Sequence, residues 1–167
     1  MSAQIFNGKL ASEEILTGVR GRVMKLKVPP KLVSFYNPRD SASALYTKIK
    51  KQKIESIGIE LEEREIEWVD GVVREIGEMG GRREITGVLV QHPTGEFAFS
   101  DEDWKKLVGA IPKEKDVDGL REDSLFIPAT VRAILVALDF TGIEYKGCKV
   151  CVVGASGMVG KKVVQVL

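Results

Sequence analysis

A glycine loop near the end of the sequence constrains the fold more than any other feature. The apolar run Val150-Cys151-Val152-Val153 leads into Gly154-Ala155-Ser156-Gly157-Met158-Val159-Gly160, and a helix-like segment over residues 158–167 follows. A strand, a glycine turn and a helix in this order are typical of a dinucleotide-binding βα unit, because backbone amides at the helix start bind a phosphate. A glycine-rich turn without a ligand stays open as the alternative, since Ser156 stands where the commonest fingerprint has its second glycine.

The sequence contains one such unit, which runs to Leu167. A single βα unit forms no crevice between neighbouring strands, where a dinucleotide binds, and it leaves its own strand partly uncovered. We therefore expect little dinucleotide binding by this chain alone. The last helix would pack back on the preceding domain, or the free strand edge would pair with a second copy to give a homodimer.

Residues 1–142 alternate between helical and strand patterns. Strand-like segments cover residues 31–36, 59–65 and 85–91, and helix-like segments cover residues 16–26, 41–57, 69–79, 101–108 and 128–138. Ser41 or Ser43 is the predicted N-cap of the second helix. The alternation predicts the α/β class: a three-layer α/β/α domain over residues 1–142, followed by an incomplete Rossmann-type βα unit over residues 143–167.

The charge balance gives no reason to expect nucleic acid or a membrane surface as a partner. Lysine and arginine total 25 against 24 acidic residues, so the formal net charge is +1 and long-range attraction to polyanions is weak. No apolar stretch reaches membrane length, and residues 1–16 lack the basic and apolar regions of a signal peptide. The composition favours a cytoplasmic protein with a small polar ligand.

Cysteine and histidine are too few for a metal site or a histidine triad. The only cysteines, Cys148 and Cys151, are three apart in a predicted strand, where odd spacing sends side chains to opposite faces. His92 is the only histidine. We therefore predict no metal ligands and no redox pair.

Tyr46 and Lys50 form the first candidate pair of functional side chains. Their spacing of four places an aromatic ring and an amine on one face of the predicted second helix, one turn apart. This geometry suits an aromatic ligand that gains or loses a proton. A solvated helix face is the alternative, because Lys50 belongs to a lysine-rich run with Lys48, Lys51 and Lys53.

Gln91 directly follows a predicted buried strand. Ligand-binding groups of α/β sheets lie at the carboxyl ends of strands, so its position favours a role in a site. A glutamine can hydrogen-bond a lysine without adding a negative charge. Burial could therefore still lower the pKa of that lysine toward the range in which it acts as a general base. An ordinary strand-end residue is the alternative for Gln91, and a surface or packing role is the interpretation for His92.

Asp116 and Asp118 lie together in the predicted loop Lys115-Asp116-Val117-Asp118-Gly119. Such pairs usually form turns through side-chain to backbone hydrogen bonds. A carboxylate can also accept two parallel hydrogen bonds from an amino-heterocycle such as a pterin. The functional interpretation needs only one of the two aspartates.

Five motifs occur in the order found in the methylenetetrahydrofolate dehydrogenase/cyclohydrolase, or FolD, family, and the chain resembles the first part of that family's length. The motifs are Ser43xxTyr46xxxLys50, Gly87-Val-Leu-Val-Gln-His-Pro93, Lys115-Asp-Val-Asp-Gly119, Pro128-Ala-Thr130 and Gly154-Ala-Ser-Gly-Met-Val-Gly160. The resemblance implies a folate-binding catalytic domain over residues 1–142 and the start of an NAD(P)-binding domain over residues 143–167.

The resemblance also implies roles for single residues. Lys50 would be the catalytic residue, Tyr46 would stack on the folate, Gln91 would orient Lys50, and Asp118 would anchor the pterin, with Pro93 in the substrate-binding wall. The family oxidises 5,10-methylenetetrahydrofolate with NADP, or NAD in some members, and hydrolyses the methenyl product to 10-formyltetrahydrofolate. The cofactor's pyrophosphate would be held by Gly154, Ser156, Val159 and Gly160.

The sequence departs from the family pattern at several points. His92-Pro93-Thr94-Gly95 stands where members usually have LPLP, and the stretch between Gly119 and Pro128 is shorter than theirs. A folate-binding remnant without turnover, or a subunit that needs a partner cofactor domain, therefore stays open beside an active enzyme. An unrelated nucleotide-dependent reductase would rest on the glycine loop alone.

Overall fold

The sheet consists of three parallel strands with the first one in the middle. In this computed structural model, which describes residues 4–167, β1 (Lys31–Tyr36), β2 (Glu60–Glu65) and β3 (Gly87–Val90) pair in the order β2-β1-β3. The chain therefore winds first to one edge of the sheet and then to the other, with a helix in each crossover. The predicted α/β class is confirmed.

Six α-helices occur in residues 4–167: α1 (Gly8–Val23), α2 (Ser41–Ser56), α3 (Val69–Glu78), α4 (Asp101–Ala110), α5 (Ala129–Phe140) and α6 (Met158–Val166). Helix α2 packs on β1 and β2, and α3 packs against α4. None of these helices is long and apolar enough to cross a membrane.

The hydrophobic core lies between the sheet and the α3/α4 layer. Val33 and Phe35 of β1 and Val88 of β3 are buried there against Ile76 of α3 and Leu107 of α4. Complete burial of a side chain such as Phe35 or Ile76 stabilises the fold by about 1.5–3 kcal/mol. Because side chains alternate along a strand, the residues between these positions face the opposite layer, where α2 lies.

The α2 layer is polar where it meets the sheet. The buried residues of α2 are Ser43 and Thr47, and Ser34 of β1 is fully buried on the same face of the sheet. None of these three hydroxyl groups has a hydrogen-bond partner. We call Ser34, Ser43 and Thr47 the hydroxyl seam.

The N-cap of α2 differs from the prediction. Asp40, in an extended conformation, accepts a hydrogen bond from the Ala42 amide at 3.1 Å, so the helix begins at Ser41. The prediction of Ser41 or Ser43 as the cap was wrong, because both residues already lie inside the helix. A carboxylate one residue earlier fulfils the same requirement for an acceptor at the helix start.

The glycine-loop unit forms its helix but not its strand. Residues 150–153 adopt no strand, since no other strand in residues 4–167 lies beside them to pair with. Helix α6 packs on α5 and buries Val163. The Lys162 amine donates to the carbonyl of Arg121 at 2.8 Å, which attaches α6 to the first part of the chain.

Candidate active site

The candidate site lies at the carboxyl ends of β1 and β3. Helix α2 leaves the end of β1 toward one edge of the sheet, whereas β3 lies on the other side of β1. Parallel α/β sheets have their ligand crevice where the strand order reverses in this way, so the topology predicts a crevice between the two strand ends. The backbone amide of Gln91 donates to the backbone carbonyl of Phe35 at 2.8 Å, which fixes the backbone of Gln91 at the end of β1. The sheet thus directs α2 and the segment after β3 toward one crevice.

Lys50 and Asp118 meet although they are 68 residues apart in sequence, and we assign them to this crevice. The Lys50 Nζ atom lies 3.5 Å from the Asp118 Oδ2 atom. The side chains are 33% and 24% exposed, so both remain accessible to a ligand. The amine and the carboxylate that the sequence singled out therefore face the same space.

The loop that carries Asp118 is fixed by its other residues. Asp116 is fully buried, and its carboxylate accepts hydrogen bonds from the amides of Leu120 at 3.0 Å and Arg121 at 2.9 Å. Lys115 is buried as well, and its amine donates to two backbone carbonyls, those of Met79 and Arg82. The turn-forming interpretation thus applies to Asp116, and the carboxylate of Asp118 is left to face Lys50.

Gly119 makes the turn after Asp118 possible. Its φ of +70° belongs to the left-handed region, and a β-carbon there would lie 2.7 Å from the carbonyl oxygen of Phe126. The backbone therefore reverses directly behind Asp118 and keeps that side chain at the crevice.

Tyr46 lies one helical turn before Lys50 and is 62% exposed. A large aromatic ring that is open to solvent beside the Lys50–Asp118 pair offers a flat surface for a planar ligand. The lysines near Tyr46 differ in their surroundings. Lys48 and Lys53 are exposed, whereas Lys51 forms an ion pair with Glu63. A purely solvated helix face does not describe α2.

Gln91 is half-buried, and its Nε2 atom is buried without a hydrogen-bond partner. Buried amide nitrogens nearly always donate to an acceptor, so this one calls for explanation. Lys50 donates to Asp118 and forms no hydrogen bond with Gln91. Contact between Gln91 and Lys50 therefore stays a prediction, and the Gln91 side chain keeps a free buried donor.

In the segment after β3, Pro93 is buried, whereas His92, Thr94 and Gly95 are exposed. Pro93 is fully buried, so it can shape a binding site only through the position of its neighbours. His92 packs edge-on against Trp104 of α4, with ring centroids 4.5 Å apart, and its Nδ1 atom lies 2.7 Å from the Pro93 carbonyl oxygen. These contacts agree with a packing role for His92.

A cavity of about 160 Å³ joins Asp118 to the glycine-loop helix. Its walls come from α4, the Asp118 loop and the starts of α5 and α6, and the lining residues are Trp104, Asp118, Gly119, Leu120, Pro128, Ala129, Thr130, Met158, Val159 and Lys162. The sequence pointed to Asp118 and Val159 here but not to Trp104. No local pattern distinguishes Trp104 from an ordinary core residue of an amphipathic helix.

A larger depression of about 560 Å³ lies at the other end of the strands. Its lining includes Pro29 and Lys31 before and in β1, and Glu60 and Leu61 of β2. It contains none of the candidate residues, and parallel α/β sheets bind ligands at the carboxyl ends of their strands. We therefore assign the site to the crevice of Lys50 and Asp118.

Two positions of the glycine loop require glycine for the backbone to close. Gly154 has a φ of +81°, and a β-carbon on Gly160 would overlap the Gly154 carbonyl oxygen, so the close approach requires glycine at position 160. The first helical hydrogen bond of α6 runs from Lys161 to Gly157. The preceding amides at the helix start are therefore available to an anion.

Comparison with known proteins identifies related sequences. The family model for the catalytic domain of tetrahydrofolate dehydrogenase/cyclohydrolase matches residues 6–118. The bifunctional protein FolD of Moorella thermoacetica is 33% identical over 100% of this chain and 64% of its own length. The FolD protein of Lysinibacillus sphaericus is 33% identical over 100% of this chain and 63% of its own length. The chain thus spans less than two thirds of the length of these curated relatives.

Solved structures share the fold. The bifunctional FolD enzyme of Campylobacter jejuni aligns with a TM-score of 0.82 and 23% identity over 95% of this chain and 61% of that one. A 5,10-methylenetetrahydrofolate dehydrogenase from the silkworm Bombyx mori aligns with a TM-score of 0.80 and 25% identity over 97% and 60%. Together with the family match, these alignments confirm the resemblance seen in the sequence. The chain belongs to the tetrahydrofolate dehydrogenase/cyclohydrolase family.

Proposed function

We propose that this chain binds a reduced folate in the crevice of Lys50 and Asp118 and hydrolyses 5,10-methenyltetrahydrofolate to 10-formyltetrahydrofolate. The NADP-dependent or NAD-dependent oxidation of 5,10-methylenetetrahydrofolate is the companion activity in this proposal. The observation that carries it is the 3.5 Å approach of the Lys50 Nζ atom to the Asp118 Oδ2 atom. A homodimer and a cytoplasmic location belong to the proposal, and the exposed free thiols of Cys148 and Cys151 suit a reducing compartment.

Asp118 would hold the pterin ring. Its carboxylate has two acceptor oxygens, which match a ring N–H and an exocyclic amine side by side. Engagement of these oxygens by the ligand would compete with the present contact to Lys50 and release the amine. Tyr46, one turn away on α2, would stack on the ligand's planar part.

Lys50 would carry the proton transfers of hydrolysis. Water adds to the cationic methenyl carbon and loses both of its protons as the formyl C=O forms. A carbon–nitrogen bond of the ring breaks, the freed nitrogen takes up one proton, and the other proton is released to solvent. An amine at the reacting carbon can remove the water's proton and return it to the leaving nitrogen. The carboxamide of Gln91, whose side chain has a free donor, would orient the water or the amine.

The glycine loop fits a dinucleotide's pyrophosphate, with Gly154, Ser156, Val159 and Gly160 as the residues that would hold it. A bound nicotinamide cofactor would accept the hydride of the dehydrogenase reaction. Residues 150–153 have no neighbouring strand within residues 4–167, so these residues by themselves do not build the crevice for the rest of the cofactor. This observation favours, as a second candidate, a folate-binding module that needs a partner cofactor domain for turnover.

Calorimetric titration with a reduced folate tests the proposal, with Lys50→Ala and Asp118→Ala as the site variants and Lys48→Ala as the control. Lys48 is an exposed lysine of the same helix, so its loss changes the net charge equally without touching the crevice. We expect saturable binding that Asp118→Ala weakens, and hydrolysis of the methenyl substrate that Lys50→Ala slows by about 10²–10⁴-fold.

The possible outcomes separate the candidates. Absence of saturable binding by the wild-type chain would refute the folate site. Binding without hydrolysis, followed by turnover once a separately expressed cofactor domain is added, would support the binding module. An equal effect of Lys48→Ala and Lys50→Ala would remove the special role of Lys50.

A further inference from the structure

Asp40 connects the start of α2 to the segment after β3. Its side chain is buried, and its two carboxylate oxygens accept from different backbone amides. Oδ1 accepts from the Ala42 amide at 3.1 Å, and Oδ2 accepts from the Thr94 amide at 2.9 Å. The Thr94 hydroxyl also lies within hydrogen-bond distance of both oxygens, at 3.3 and 3.4 Å. We call these contacts the Asp40 bridge.

The two ends of the Asp40 bridge belong to the two elements that form the crevice. Ala42 lies in the first turn of α2, the helix that carries Tyr46 and Lys50. Thr94 is three residues after Gln91, in the segment that leaves β3. Because one rigid carboxylate holds both backbones, the distance between the helix start and this segment is fixed at one point.

The charge of Asp40 is compatible with this position. The hydrogen bond from the Thr94 amide is the largest cause that lowers the pKa of Asp40 below its ordinary value, and the amides of Ala42 and Ser43 lower it further. Burial opposes this change. The carboxylate is therefore ionised at neutral pH, and hydrogen bonds to an ionised acceptor are stronger than those to a neutral one.

We propose that Asp40 is a positioning residue of the folate site, which sets Lys50 and Gln91 at their working separation by bonding the start of α2 to Thr94. This inference rests on the proposed function. Thr94 reinforces the bridge with its hydroxyl, which a leucine or another apolar side chain could not do. Asp40 forms no hydrogen bond with Lys50, Gln91 or Asp118, so it would act only through the placement of these residues.

Two substitutions of Asp40 distinguish its role as the bridge to Thr94 from its role as the N-cap of α2. Asp40→Asn keeps the shape but has one acceptor oxygen, so it can serve the Ala42 amide or the Thr94 amide but not both. Asp40→Ser keeps a good N-cap, yet its single short side chain cannot bond two separate backbones. Asn7→Ala is the matched control, because it removes the side-chain cap of α1, where Asn7 accepts from Leu10 at 3.1 Å, far along the chain from the crevice.

The experiment combines hydrogen exchange with kinetics on the full chain. In Asp40→Ser we expect faster exchange at the Thr94 amide, with the amides of α2 still protected. In Asp40→Asn we expect faster exchange at whichever of the Ala42 and Thr94 amides loses its acceptor. We expect kcat for hydrolysis of 5,10-methenyltetrahydrofolate, measured per folded molecule, to fall about tenfold or more, because small displacements of reacting groups cost that much. KM should change less than kcat, and Asn7→Ala should leave both parameters unchanged.

Three results would overturn the proposal. Unchanged exchange at Thr94 in Asp40→Ser, together with unchanged exchange at both Ala42 and Thr94 in Asp40→Asn, would show that the bridge is not formed, whatever the folate results are. Faster exchange with wild-type kcat and KM would show that the bridge does not position the site. Failure of the wild-type chain to bind folate would defeat the proposed function first, and this result is visible before any variant is made.

Discussion

At the scale of single residues, the structure distinguishes Asp116 from Asp118, which the sequence presents as equivalent. Asp118 is partly exposed beside Lys50, and such a pair contributes about 0–1 kcal/mol to stability. We therefore expect Asp118→Asn to leave the melting temperature nearly unchanged. Folate binding should weaken by about 10-fold to 100-fold, since one of two charge-assisted hydrogen bonds is lost. Parallel calorimetry and thermal unfolding check this, and a large loss of stability with normal binding would contradict it.

Asp116 should show the opposite behaviour. Its buried carboxylate accepts from two amides, and an asparagine could accept from only one of them. We expect Asp116→Asn to lower the free energy of unfolding by about 1–3 kcal/mol, the cost of leaving a buried donor unsatisfied. Urea unfolding measures this change. Unaltered stability would mean that the Asp118 loop is not held by Asp116.

The pH dependence of stability should contain a contribution from Asp40. Its pKa is lowered in the folded protein, so its contribution is fully present above the pKa of an unfolded aspartate, about 3.9, and is lost as the pH falls through the lower folded value. We expect the difference in unfolding free energy between wild type and Asp40→Asn to be constant from pH 7 to about pH 5. It should shrink as the solution is acidified below about pH 4, and a constant difference down to pH 2 would contradict the assignment.

At the scale of elements, the strands and most helices could be predicted because their apolar residues follow the required period. The strands predicted at residues 31–36 and 59–65 correspond to β1 and β2. The apolar runs at residues 69–79 and 85–91 predicted α3 and β3 to within two residues at each end. The hydroxyl seam could not be predicted, since a buried serine or threonine has the same local pattern as an exposed one. The strand expected at residues 150–153 is absent because strand formation depends on a partner.

The hydroxyl seam leads to a prediction for α2. The Thr47 hydroxyl is buried without a hydrogen-bond partner, and valine has nearly the same shape without the polar atom. We expect Thr47→Val to raise the free energy of unfolding by up to about 1 kcal/mol, because the desolvation cost of the hydroxyl disappears. Urea unfolding tests this. A loss of more than about 1 kcal/mol would show that Thr47 has a partner, such as ordered water, beneath α2.

At the scale of the whole molecule, the candidate crevice and the glycine loop meet through one cavity. Asp118 and Val159 line the same space, and the bond from Lys162 to the Arg121 carbonyl attaches α6 beside it. The order of the motifs indicated which residues belong to each site. Their proximity depends on how α6 packs on α5, a contact between distant segments that no local pattern in the sequence specifies.

The position of α6 beside the crevice depends on the close approach of Gly160 to the backbone of Gly154. The substitution Gly160→Ala should disturb this approach. The added methyl group would overlap the Gly154 carbonyl oxygen, so the loop must open or α6 must shift. We expect faster hydrogen exchange at the Lys161 amide, with the amides of β1 unchanged. Gly77→Ala in α3 is the control, because a methyl group there meets open space and should stabilise the helix by about 0.5–1 kcal/mol. Equal exchange at Lys161 in wild type and Gly160→Ala would show that the close approach of Gly160 to Gly154 does not hold α6 in place.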